Sequence, residues 1–264
     1  MLAVLSPAKS LRLDPTPPEL PVSQPAFMDD TSALMRTTRG LSQTRIRELM
    51  NISSELAKLN YDRFRSFELP FGSENALPAA LMFDGDVYRG LAARELDAKA
   101  LAWAQDHIAI LSGMFGLLRP LDLIQPYRLE MGTRLKTRRG ANLYAFWGES
   151  LGNKVREQLQ DHKDPTVVNL ASNEYFKALK ARKTELPVVT CVFHDYKDAA
   201  RTPKVISFLA KRARGMMARF IIEQRVDQSA GLKDFKMDRY RFRADISDEN
   251  TFVFGRKFIP AKAR

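Results

Sequence analysis

The chain has 264 residues, 45% of them hydrophobic, enough for a substantial core in one large domain or two small ones. Its 42 Lys and Arg against 31 Asp and Glu leave a net charge of +11, which points to a polyanionic partner wherever that charge is clustered. No window approaches the roughly 18 continuous apolar residues that span a bilayer, and Pro7 ends the apolar start too early for a signal peptide. A cytoplasmic protein with no membrane association is expected.

In chain order, residues 2–5 read as a short buried strand running into Ser6-Pro7-Ala8-Lys9, where Ser6 can cap a turn. The proline-rich run 14–25 favours an extended surface crossing. Helical patterning follows over 26–39, 42–50 and 53–60, so the N-terminal third is mostly helical. Residues 81–91 carry strand-like side chains around Asp84-Gly85-Asp86, 96–107 read as helix and 108–111 as a buried strand. One long helix is expected over 142–160. Strands at 166–170, 187–194 and 204–209 alternate with helices from Ser172 and Lys211, and 240–246 with 251–258 form a hairpin turned by 247–250. The interleaving predicts a single α/β (α+β) domain over 1–264, with a mixed sheet flanked by helices.

Residues 111–132 hold the least ordinary composition in the chain. Pro120 and Pro126 forbid a continuous helix, three glycines permit bends, and seven aliphatic side chains require burial alongside Arg119, Asp122, Arg128 and Glu130. Charges in such surroundings are paired or meet a ligand, so the segment is either a structural ion-pair network or part of a site. Charge clusters in two places: Arg128, Arg134, Lys136, Arg138 and Arg139 against Glu130 alone, and Arg201, Lys204, Lys211, Arg212, Arg214, Arg219 and Arg225 against Glu223 alone. On a helix after Lys211, residues 213, 216, 217, 220 and 221 share an apolar face. The cations fall on the flanks and exposed side, where a duplex backbone could meet several; a merely solvated face is the alternative.

Other patterns carry less chemistry. Ser6-Pro7-Ala8-Lys9 has the S-x-x-K spacing of acyl-enzymes without their companion motifs, and suits an anion or a simple cap better. Asp84 and Asp86 could hold a divalent cation, but a turn with aspartates bonded to local backbone is preferred. Ser172 is a natural N-cap, with Glu174 in the first turn. Residues 49–64 have the outline of a helix-hairpin-helix module with Lys58-Leu59-Asn60 at the hairpin, departing from the usual Gly, apolar, Gly. Cys191 is alone in a strand-like run and is expected to be a buried, inert thiol. His107, His162 and His194 have no neighbours at ligand spacing, so no metal and no cofactor are expected.

Taken together and in order, the 6–9 turn, Asp84-Gly85-Asp86-Val87-Tyr88, the 111–132 segment, Leu143-Tyr144-Ala145-Phe146-Trp147-Gly148, residues 169–176 and residues 206–219 resemble one family, the bacterial peroxide-stress protein YaaA family. The likeness covers nearly the whole chain. It implies an unusual single-domain fold, a positively charged cleft, DNA binding through that cleft and a helix-hairpin-helix element, and a role in limiting peroxide and iron-related damage; it implies no established reaction. The candidate DNA contacts are Lys9, Lys58, Asn60, Arg63, Arg89, Arg119, Arg128, Lys211, Arg212, Arg214 and Arg219, meeting the backbone with little sequence preference. Asp84, Asp86, Glu130 and Glu174 are the candidate cleft carboxylates. The competing expectation is an enzyme acting on a nucleotide or phosphorylated small molecule, with Lys9, Arg119 and Arg128 holding the anion.

Overall fold

A computed structural model of the chain describes residues 1–14, 20–196 and 205–257. Its first half contains β1 (Leu2–Leu5), β2 (Ser10–Leu11), α1 (Met28–Arg39), α2 (Gln43–Met50), α3 (Ser54–Ser66), β3 (Leu77–Pro78), α4 (Ala79–Met82), β4 (Phe83–Asp84), α5 (Asp86–Leu91), α6 (Ala98–His107), β5 (Ile108–Ser112), β6 (Gly116–Leu118) and β7 (Leu123–Ile124). The second half contains α7 (Leu143–Trp147), α8 (Ser150–Leu159), β8 (Val167–Asn169), α9 (Asn173–Phe176), β9 (Val188–Tyr196), α10 (Ser207–Glu223), β10 (Arg241–Phe242) and β11 (Thr251–Lys257).

Every residue of β1, β5 and β8 is buried, as expected of strands covered on both faces. They form the middle of a seven-stranded mixed sheet of order β10-β11-β9-β8-β1-β5-β6. The five inner strands are parallel, and β10 and β6 close the edges antiparallel. From β1 the chain moves to β5 on one side and later to β8 on the other, so strand order reverses at β1. Open α/β sheets leave a crevice beyond the carboxyl ends of the strands at such a point.

Helix α10 packs on β1 and β9 and crosses α5 and α6. Its approach to α5 leaves no room for side chains: a Cβ on Gly215 would lie 1.8 Å from the Val87 carbonyl oxygen, and one on Gly90 would lie 2.1 Å from that of Arg212. The apolar face read from the sequence is present, with Ala213, Met216, Met217 and Ile221 buried and Phe220 partly so. Ala210, Ala218 and Ile222 are buried as well, so the helix is covered on more of its circumference than one stripe.

Four sequence expectations are corrected. Residues 81–91 form α4, a two-residue strand and α5, because Leu81, Met82 and Leu91 are good helix formers and Asp86 favours a first turn. The expected helix over 142–160 breaks into α7 and α8 at Gly148, whose φ of 56° is left-handed. In the expected strand 204–209, Lys204 lies outside the described residues and Ser207 already begins α10, whose helical period extends back through the buried Ala210. Lys58-Leu59-Asn60 is no hairpin. It sits inside α3, where Ala57, Asn60 and Phe64 form a continuous buried stripe and the Asn60 amide donates to the Leu56 carbonyl at 2.8 Å. The turn joining α2 to α3 is residues 51–53, with left-handed Asn51 and Ser53 accepting the Leu56 N–H. Pro15, Pro17, Pro18 and Arg201 lie outside the described residues. No helix among the described residues is long and apolar enough to cross a membrane.

At the amino end of β1, the His107 and His162 rings meet edge to face at 5.1 Å, and His107 stacks on Trp103. Burial first, then the nearby Met1 ammonium, lowers the pKa of both imidazoles; His194 is lowered by burial and by Arg243.

Two outcomes follow. Gly215→Ala drives Cβ into backbone and should cost at least about 1–3 kcal/mol, the range of ordinary overpacking. At roughly 2–4 °C per kcal/mol, thermal unfolding should register a clear drop in Tm, and an unchanged Tm contradicts the crossing. Histidines with lowered folded pKa values bind fewer protons folded than unfolded, whose imidazoles titrate near about 6.5. Stability is therefore full above that pH and falls as pH drops below it. Tm should be lower at pH 5.5 than at pH 7.5, and the H107Q/H162Q protein should show a smaller decrease; an equal decrease removes these two residues as the cause.

Candidate functional site

The ends of β1 and β8 are fastened to each other. The Ser172 N–H donates to Ser6 Oγ at 2.9 Å, and the Ser6 hydroxyl donates to Ser172 Oγ at 3.3 Å. From α5, the Tyr88 hydroxyl donates to the Ser6 carbonyl at 3.0 Å. Residues 6–9 are not helical, so the S-x-x-K spacing does not place Lys9 one helical turn beyond Ser6, and Ser6 caps its neighbour strand's exit instead of its own turn.

Beyond these strand ends lies a cleft of 410 Å³. Four candidate cations line it: Lys9 after β1, Arg128, and Lys211 and Arg214 from α10. All four candidate carboxylates, Asp84, Asp86, Glu130 and Glu174, line it too. The Lys9 ammonium contacts Glu130 Oε1, and Arg128 Nη2 lies 3.8 Å from the same oxygen. Glu174 Oε1 accepts the Gly132 N–H at 2.8 Å, which fixes this carboxylate against the 111–132 segment. Arg89 does not line the cleft but an adjacent cavity, with its Nε 3.8 Å from Asp84 Oδ1.

Not every cationic group is fully satisfied. Arg128 Nε is buried with no hydrogen-bond partner, and Lys211 and Arg214 have no ion-pair partner, among the described residues. Burial pulls the pKa of Arg214 down, opposed by Cys191. That thiol is buried in β9, and burial pushes it up to about 12.

The 111–132 segment divides its charges between two jobs. Asp122, 1% exposed, accepts the Arg119 N–H at 2.7 Å and the Ser23 hydroxyl at 2.6 Å, with Arg119 Nε 3.4 Å away. That half is a structural network. Arg128 and Glu130 face the cleft, carried there by a close backbone approach in which a Cβ on Gly113 would lie 2.2 Å from the Leu129 carbonyl oxygen.

Several candidates stand elsewhere. Arg119 lines a separate cavity of 710 Å³ with His107 and His162. Lys58 is exposed and paired with Asp62 at 2.8 Å, Asn60 is buried inside α3, and Arg63, on the same helix, does not line the cleft. Arg219 is held by Glu95 and Glu223, each at 2.8 Å. Arg212 is exposed on α10 beside Lys211. Among the described residues no group of three or more His, Cys, Asp or Glu could hold a metal ion.

Sequence reasoning missed the wall. Tyr88, Tyr127 and Tyr175 line the cleft and are nearly fully buried. The Tyr127 and Ser112 hydroxyls share a 2.6 Å hydrogen bond. Burial raises all three phenols above their ordinary pKa, so they stay neutral. Each tyrosine reads locally as core, and only the topology collects them from α5, the segment after β7 and α9.

The family model for peroxide stress protein YaaA matches residues 1–246. A UPF0246 protein of Phenylobacterium zucineum is 52% identical over 263 residues, covering 100% of this chain and 97% of that protein. One from Caulobacter vibrioides is 50% identical over 256 residues, and one from Burkholderia vietnamiensis 49% over 260, each alignment covering 97% of this chain and 99% of the relative. Both the family match and these full-length similarities lead to one conclusion: the chain belongs to the peroxide stress protein YaaA family.

Proposed function

We propose that this protein acts in the cytoplasmic response to hydrogen peroxide as a DNA-binding protein that limits peroxide and iron-related damage, meeting the duplex through its phosphate backbone. Membership of the peroxide stress family supports the first part. The convergence of Lys9, Arg128, Lys211 and Arg214 at one opening supports the second, with Arg212 exposed next to it and a net charge of +11 behind it. A phosphate backbone requires cations that are free to exchange their counterions. Lys211 and Arg212 are exposed and carry no ion pair among the described residues, so the backbone would run along the cleft mouth and the adjoining face of α10.

Affinity for duplex DNA should fall by about 0.9 log units per log of salt for each phosphate neutralised. In a titration over salt, the K211A/R212A/R214A protein should bind all sequences more weakly by a similar factor, with a shallower slope. Arg219→Ala should bind as the parent does, because Arg219 is already committed to Glu95 and Glu223. A salt-independent affinity, or a loss confined to one sequence, contradicts backbone recognition.

A further inference from the structure

The charges inside the cleft do not suit a polyanion by itself. The four lining cations are matched by four lining carboxylates, and a phosphate chain drawn deep into the cleft would meet Asp84, Asp86 and Glu174 as well as Arg128 and Arg214. The volume of 410 Å³ belongs to the range of roughly 300–1,000 Å³ that takes small molecules, and no duplex fits within it. The walls are apolar and aromatic where Val87, Tyr88, Tyr127, Leu129, Leu170 and Tyr175 line them. The occupant these features describe has an anionic end, a flat apolar body and hydrogen-bond donors elsewhere.

Two observations point to the anionic end. Arg128 Nε is buried without a hydrogen-bond partner among the described residues, and the half-buried Arg214 has no carboxylate partner there. A buried guanidinium N–H left without an acceptor is costly, and a phosphate would supply acceptors to the Arg128 Nε–H, which the Glu130 pair at Nη2 leaves unmet, and to Arg214. The carboxylates point to the other end. Asp84, Asp86 and Glu174 accept hydrogen bonds, as sugar hydroxyls and base amino groups require, whereas a backbone phosphodiester has no such donors.

We propose that the cleft binds a single nucleotide, its phosphate between Arg128 and Arg214 and its sugar and base toward the carboxylates and tyrosines. The nucleotide comes either free or extruded from a duplex lying across the mouth. Enzymes that handle one base of a duplex take it out of the stack into a pocket of this kind. The inference rests on the DNA-binding reading only for the second source.

The test has two probes and one common control. Calorimetry measures each 2′-deoxynucleoside 5′-monophosphate against inorganic phosphate, and 2-aminopurine fluorescence in a duplex measures extrusion, with duplex affinity read in parallel by gel shift. The free source predicts saturable monophosphate binding at least tenfold tighter than inorganic phosphate. The extruded source predicts a rise in 2-aminopurine fluorescence on binding. Either result supports the proposal, and Asp86→Asn and Arg214→Gln, checked for an unchanged Tm, should reduce that signal severalfold. If Arg214→Gln unfolds the protein, Asp86→Asn alone decides. Duplex binding with neither signal overturns the nucleotide cleft and leaves the DNA reading intact. Monophosphate binding without duplex binding overturns the DNA reading and leaves the cleft. A signal unaffected by Asp86→Asn and Arg214→Gln overturns the cleft as its origin.

Discussion

The closest constraint in the molecule is the crossing of α10 over α5, where Gly90 and Gly215 let two backbones meet at distances that exclude a Cβ. Because of it, α10 lies low against β1 and β9. Its cationic residues then meet different fates on neighbouring turns. Arg214 is drawn into the cleft, Arg219 is locked to Glu95 at the C-terminal side of α5, and Lys211 and Arg212 remain at the surface. A helix held farther off would leave all of them solvated, as a helix wheel alone implies. One pair of glycines therefore separates the structural cations of α10 from the available ones.

The sheet supplies the other half of the site. Where parallel strands end shielded from water, their polar backbone groups need protein partners. Here the exits of β1 and β8 satisfy each other through Ser6 and Ser172, and Tyr88 closes the third side. The cleft is thus set by main-chain geometry at the reversal of strand order, and its charged side chains are brought to it from segments far apart in sequence: residue 9, residues 84–86, 128–130, 174 and 211–214.

Much of this was legible in the sequence where the physics is local. The apolar runs of β1, β5, β8 and β9 and the helices α1, α2 and α6 follow from periodicity and caps, and the 111–132 segment announced buried charge by its composition. Errors arose where a local signal is ambiguous. Residues 81–91 mix aromatic, apolar and Asp-Gly-Asp features that serve a strand or two short helices equally well, and Asn60 resembles a turn residue until its amide is seen bonding Leu56 inside α3. Partner choice was less legible still. Arg119 and Arg128 are nine residues apart in one unusual segment, yet one closes a network with buried Asp122 while the other faces the cleft, a distinction made by the chain path past Gly113. The tyrosine wall had no signal at all, since burial within an apolar stretch is the ordinary fate of each ring.

The central claim is that the cleft contains cations whose missing acceptor is a phosphate. It is tested most directly by NMR of the arginine Nε–Hε groups in ¹⁵N-labelled protein during titration with a deoxynucleoside 5′-monophosphate. The account predicts saturable shifts at Arg128 and Arg214 in step, with Arg119, held by Asp122 in another cavity, unmoved. Shifts absent from Arg128 and Arg214, or no larger there than at Arg119, contradict it.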